Sequence, residues 1–137
     1  MKYKKIILIS VLLLIVLSIG IYFIFFNNKK EKINVYLFWG NGCPHCEHAK
    51  EFFSSIEEEY GKYYNLIEYE VWYDDNNNQL ARKVDAELNA NATGVPFIVI
   101  GDDYVKGYSQ MMDEEIKEKI ISQYKNDNYV DVVEKVK

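Results

Sequence analysis

Two cysteines stand three positions apart in the stretch Trp39-Gly40-Asn41-Gly42-Cys43-Pro44-His45-Cys46, and they are the only two in a chain of 137 residues. This spacing suits thiol chemistry better than stapling. A disulfide closing so short a loop removes little entropy from the unfolded chain and braces poorly. It serves well as a switch between dithiol and disulfide. A helical pattern runs from Pro44 to Tyr60, so Cys43 falls at a helix N-terminus, where unpaired amides and the macrodipole favour a thiolate. Pro44 is pre-set for the first turn and has no N–H to leave unsatisfied. His45 can add a positive charge or a hydrogen-bond donor beside the sulfur. Cys46, one turn on, faces the same side. Two other chemistries compete: a pair of inert buried thiols, or half of a zinc site. Zinc would need His45 and His48 as its remaining ligands, at a spacing that makes a tetrahedral set awkward. The reading made here is redox, with no metal.

These residues need elements to position them. Ile33 to Trp39 is almost wholly apolar, as in a strand covered on both faces, and Gly40 to Gly42 is the turn into the helix. In that helix Cys46, Ala49, Phe52, Phe53, Ile56 and Tyr60 recur at threes and fours, and Gly61 reads as the residue that ends it. Asn65 to Tyr73 alternates and predicts a second strand. Asp74 to Asn78 is a turn-and-cap cluster before a second helix marked by Leu80, Ala81, Val84 and Leu88. Val95-Pro96 opens a third strand, Phe97 to Ile100. Gly101-Asp102-Asp103 turns into a fourth, Tyr104 to Lys106. Met111, Met112, Ile116, Ile120, Ile121 and Tyr124 give a last clear helix. Strand, helix, strand, helix in succession implies a parallel βαβ core. Beyond Asn126 the valines fit either a helical turn or an edge strand.

With the motif and Val95-Pro96 placed, the chain resembles the thioredoxin superfamily. The Cys-Pro-His-Cys sequence looks like the active site of DsbA-type disulfide oxidoreductases, and the glutaredoxin-like minimal form is the closer match in size. The resemblance covers Ile33 to Lys125. It implies an α/β minimal thioredoxin-like fold, βαβα then ββα, with a mixed central sheet flanked by helices. It also implies roles. Cys43 would be the exposed nucleophile and Cys46 the resolving thiol, with Pro44 and His45 tuning the thiolate. Pro96 would be the cis-proline opposite the disulfide, and Val95 would pair its backbone with an extended substrate segment. Trp39 and Tyr108 would rim the site; His48 reads as surface. Relatives often bury a carboxylate six residues ahead of the nucleophile, but here that position is Leu37, leaving Glu47 or water to move the resolving thiol's proton. The sequon Asn91-Ala92-Thr93 reads as chance, since a glycan there would obstruct Pro96. No cofactor is implied, and the partners would be cysteine-bearing proteins.

The N-terminus adds a location. Residues 1–5 carry Lys2, Lys4 and Lys5, and residues 6–26 are an unbroken apolar run that would span ~31 Å as a helix, about one bilayer core. Six apolar residues follow the one tolerable small-x-small cleavage site, Ser18-Ile19-Gly20, which favours an uncleaved signal-anchor over a cleaved signal peptide. Residues 27–32 form a short polar tether, 33–125 the folded domain and 126–137 a C-terminal extension. Lysines flank the run almost equally; a short charged N-terminus usually stays inside, which puts the cysteine pair outside the cytoplasm. From residue 33 onward ten basic side chains face 20 acidic ones, a net of −10, which argues against nucleic-acid binding. The sum is a membrane-anchored extracytoplasmic thiol–disulfide oxidoreductase, expected to act as an oxidant. The alternatives are a reductase fed by a membrane electron carrier, and a tethered peptide-binding or chaperone module.

Overall fold

The computed structural model describes residues 2–26 and 30–137, and the chain divides into two units, Met1–Glu31 and Lys32–Lys137. In the first, α1 (Lys2–Phe26) is one continuous helix. Its segment Tyr3–Tyr22 has a mean hydropathy of 2.6 and no buried residue. Ser10 and Ser18 donate their hydroxyls to the carbonyls of Ile7 and Ile15, both at 2.8 Å, so neither needs water. Among the described residues this is the one helix long and apolar enough to cross a membrane, and a signal sequence passes the same test. Half of the expected tether, residues 27–29, lies outside the described residues.

The second unit is built on a four-stranded sheet in the order β2-β1-β3-β4. β1 (Ile33–Trp39) pairs parallel with β2 (Tyr64–Glu70), and antiparallel with β3 (Phe97–Ile100). β3 turns through Gly101, at a φ of 65°, into antiparallel β4 (Asp103–Lys106). The two faces of β1 divide the core. Ile33, Val35 and Leu37 point to the face covered by α2 (Pro44–Tyr60) and α4 (Asp113–Lys125), against Phe52, Phe53, Ile56, Ile116 and Ile120. Tyr36 and Phe38 point to the other face, covered by α3 (Asp75–Leu88) and α5 (Val132–Val136), against Val84, Val132 and Val133. Side chains of one strand alternate between faces, so a central strand feeds both cores.

The order of elements is that of a minimal thioredoxin-like fold, and several boundaries differ from the sequence reading. β2 ends at Glu70, not Tyr73, because the Glu70 carboxylate accepts the N–H groups of Trp72 at 3.0 Å and Tyr73 at 2.8 Å and turns the chain. The cap cluster belongs to α3 itself: Asp74 is the N-cap, accepting from the amides of Asn76 and Asn77. Gly61 is right-handed, with φ −58°, and is no left-handed terminator. What demands glycine there is closeness, since a Cβ would run into Glu57. Met111 sits in a short 3-10 turn (Gln110–Met112) and is 92% exposed, so it is not on the buried stripe of α4. The last segment, open between helix and strand, is the helix α5.

Candidate active site

The end of β1 delivers the chain to the cysteines. After Trp39 the turn passes Gly42, at φ 86°, and Cys43 then stands at the N-cap of α2 with extended backbone. Pro44 opens the first turn and is exposed. Cys43 and Cys46 are disulfide-bonded, with Cα atoms 5.2 Å apart. The sulfur of Cys43 acts as the cap itself: the backbone N–H of Cys46 donates to Cys43 Sγ at 3.2 Å. An amide aimed at that sulfur is worth more to a thiolate than to a thiol, because a charge-assisted hydrogen bond is the stronger one.

Cys43 is less open than the resemblance implied. It is 5% exposed against 0% for Cys46. The cover is the loop before β3: the Val95 carbonyl lies 3.9 Å from Cys43 Sγ, and the Val95–Pro96 peptide is cis. Val95 is half-buried and Pro96 buried. Pro96 hands its own carbonyl to the amide of Gly107, at 2.8 Å, whereas among the described residues the backbone of Val95 pairs with no main-chain group of the sheet.

The remaining sequence candidates fall on different sides. His45 is exposed and lines a cleft of about 490 Å³ with His48, Glu51, Tyr108 and Asp113. Tyr108 is 8% exposed, packs on Phe52, and donates its hydroxyl to Asp113 at 2.7 Å. It is thus more a core wall than an exposed rim. Burial first, and Asp113 second, push its phenol far above the usual range. Trp39 is half-buried under Lys50, whose ammonium lies 3.0 Å from the ring centroid and 3.0 Å from Glu68. Leu37 is fully buried, and Glu47 is exposed on the outer side of the helix. Leu37's register partner on β2 is Glu68.

Sequence reasoning missed Glu70. Besides the amides of Trp72 and Tyr73, its carboxylate accepts the N–H of Asn41 at 3.1 Å, tying the turn before Cys43 to the turn after β2. Withdrawal from water opposes ionisation, but these amides outweigh it and lower the Glu70 pKa below the ordinary carboxylate value. Trp72 was missed with it. The ring lies against Gly40, where a Cβ would occupy its place. The alternating pattern that suggested a longer strand concealed both.

No protein-family model matches the chain, and no curated protein sequence matches it. Solved structures do. A Chlorobium tepidum protein provisionally named thiol:disulfide interchange protein DsbE superposes with a TM-score of 0.50 at 11% identity, over 71% of this chain and 83% of that one. The glutaredoxin grx-1 of Archaeoglobus fulgidus matches with a TM-score of 0.45 at 25% identity, over 67% of this chain and 90% of that one. The oxidised mitochondrial thioredoxin 3 of Saccharomyces cerevisiae gives 0.44 at 16% identity, over 70% and 84%. The first likeness establishes a thioredoxin-like fold, and in this chain that fold carries a disulfide-bonded Cys-x-x-Cys pair.

Proposed function

We propose that the protein is a thiol–disulfide oxidoreductase that exchanges its Cys43–Cys46 disulfide with cysteine-bearing proteins, in the oxidising direction. The observation that carries this reading is the disulfide at the N-terminus of α2, with Cys43 Sγ capped by the Cys46 amide and flanked by the Val95 carbonyl before cis-Pro96. A protein of the same fold is named for thiol:disulfide interchange.

The reaction needs no group beyond sulfur. A substrate thiolate attacks Cys43 Sγ, the Cys43–Cys46 bond breaks, and Cys46 leaves as a thiolate and takes up a proton. The substrate's second thiolate then attacks the substrate sulfur of the mixed disulfide. Cys43 leaves as a thiolate, and the substrate is left with a disulfide. Two electrons pass to the protein, which a disulfide- or quinone-bearing membrane partner must remove to restore the pair. A hydrogen bond that stabilises the Cys43 thiolate stabilises the reduced form and makes the disulfide the stronger oxidant. Pro44 and His45 are the tuning residues of this reading, and Val95 the backbone that holds an extended substrate segment. Residues 6–26 would act as a signal-anchor, with the domain 33–125 and the segment 126–137 outside the cytoplasm.

Two measurements test it. Equilibration with glutathione should give a potential above about −200 mV; a value near about −270 mV, where thioredoxin lies, would mean a reductase. Cys46→Ala should accumulate mixed disulfides with client proteins and Cys43→Ala should not. Equal trapping by both would reverse or void the assignment. For location, a membrane-impermeant thiol reagent should label the reduced pair in intact cells; labelling only after lysis would place the domain in the cytoplasm.

A further inference from the structure

We propose that Trp72 is a specificity-determining residue, forming the wall of a groove that receives a large apolar side chain next to the substrate's reactive cysteine. The inference rests on the thiol-exchange reading and adds the class of segment it acts on. Trp72 is 53% exposed, although it is one of only two tryptophans in the chain. It is held to the disulfide loop from two sides. Its ring covers Gly40, three residues before Cys43, and the Glu70 carboxylate binds its amide together with that of Asn41.

The groove runs from Trp72 to Val95, with Val71, Ala81 and Phe97 between them, and encloses about 310 Å³. At one end it reaches the chemistry, because the Val95 carbonyl lies 3.9 Å from Cys43 Sγ. A polypeptide whose cysteine meets that sulfur can lay the residues on one side of it along this groove. The charged groups at its margin are partly engaged: Arg82 donates its Nε–H to Asn78 at 2.9 Å, and Asp85 accepts the amide of Ala92 at 2.7 Å. Arg82 and Asp85 carry opposite charges at one margin and so give the groove no net charge to favour either sign. Val71, Trp72, Ala81, Val95 and Phe97 offer apolar surface and an indole face, which suits an aromatic or long aliphatic side chain. An extended segment with such a residue within two positions of its cysteine is the stated occupant.

The test uses the full-length disulfide form in detergent micelles. Two reduced dithiol peptides are compared, identical except for alanine or phenylalanine beside the first cysteine, with dithiothreitol as a third reductant. The wild type should oxidise the phenylalanine peptide about tenfold faster than the alanine peptide. In Trp72→Ala that ratio should fall to about twofold. Ala81→Glu, at a half-buried position of α3 that lines the groove, should lower it independently by placing a charge there. An equal ratio in wild type and both variants would overturn the proposal and leave Trp72 as a contact for something else, such as a lipid surface. Failure of the wild type to oxidise either peptide or dithiothreitol would instead refute the thiol-exchange reading itself.

Discussion

The two ends of β1 are built on opposite terms. At its start Asn34 and Tyr36 find partners in the C-terminal segment. Asn34 donates its backbone N–H to the Tyr129 hydroxyl at 3.2 Å and receives that hydroxyl on its carbonyl at 3.4 Å. Its side chain and the Tyr36 hydroxyl both donate to Asp131 Oδ2, at 2.9 and 2.8 Å. Asp131 also caps α5 by accepting the amide of Glu134 at 3.0 Å. At its finish the strand opens onto a disulfide, an exposed indole and the Val95 backbone. A closed network fixes structure and offers nothing to a partner, whereas unspent surface at the other end is what a substrate can use. One strand thus separates what holds the domain from what the domain works with.

The largest way to break that contrast is to open the closed end. Asp131→Ala strips the acceptor from the Asn34 side chain, leaves the Tyr36 hydroxyl only Glu134 at 3.5 Å, and removes the α5 cap in one step. Buried donors left unpaired and a lost N-cap together should cost about 2–4 kcal/mol, read as a lower urea midpoint at unchanged slope. The reduction potential should not move, because the network ends far along the strand from Cys43. A loss below about 0.5 kcal/mol would mean that water replaces Asp131 freely and that the two ends do not differ in kind.

This network also marks the limit of what the sequence discloses. α2, α3 and α4 were legible from a periodic apolar face, β1 and β3 from short continuous apolar runs, and the cysteine pair because its spacing and its flanking strand and helix are local. The partners of Asn34 lie 95 and 97 residues away. No periodicity announces a pairing of that kind. Val132 and Val133 show the same problem in miniature: four valines in the segment fit two patterns, and only the seat between α3 and β1's second face makes them helix. The Glu70 carboxylate was hidden differently. Its three amide partners are close in sequence or across one strand pair, but a glutamate at a strand end reads as surface charge until the turn it folds is seen.

Glu70 supplies the next prediction, at the open end. Its pKa is lowered in the folded protein, so the folded chain favours the carboxylate over the acid. That contribution is fully present above the ordinary value of 4.5 and is lost as pH falls through the lower folded value. Glu70→Gln keeps an acceptor but not the charge. The stability difference between wild type and variant should therefore be constant around neutral pH and close as the solution is acidified below that ordinary value. It should be smaller than the Asp131 effect, since Glu70 stands at the surface where solvent screens it. A difference independent of pH down to acid unfolding would mean that the amides do not depend on the charge. Loss of substrate preference in Glu70→Gln with little loss of stability would sharpen the contrast, because it would show the latch serving the groove rather than the fold.

The smallest effect is assigned to His45. The disulfide's poise has two contributors at the helix start: the Cys46 amide on Cys43 Sγ, which no side-chain change removes, and the His45 imidazole, which is exposed beside the cleft shared with Tyr108. A thiolate at Cys43 exists only in the reduced protein, so whatever stabilises it raises the reduction potential. Removing an exposed imidazole should forfeit at most about 1 kcal/mol of that stabilisation. For a two-electron couple 1.4 kcal/mol corresponds to about 30 mV, so the potential of His45→Ala should fall by about 20 mV or less. The fall should come with loss of the thiolate absorbance of the reduced protein at a higher pH on acid titration, since both have one cause. His48→Ala, one turn further from the sulfur, should leave the potential where it was. Equal potentials in wild type and His45→Ala would assign the whole poise to the helix N-terminus, and the open end of β1 would then owe its chemistry to backbone alone.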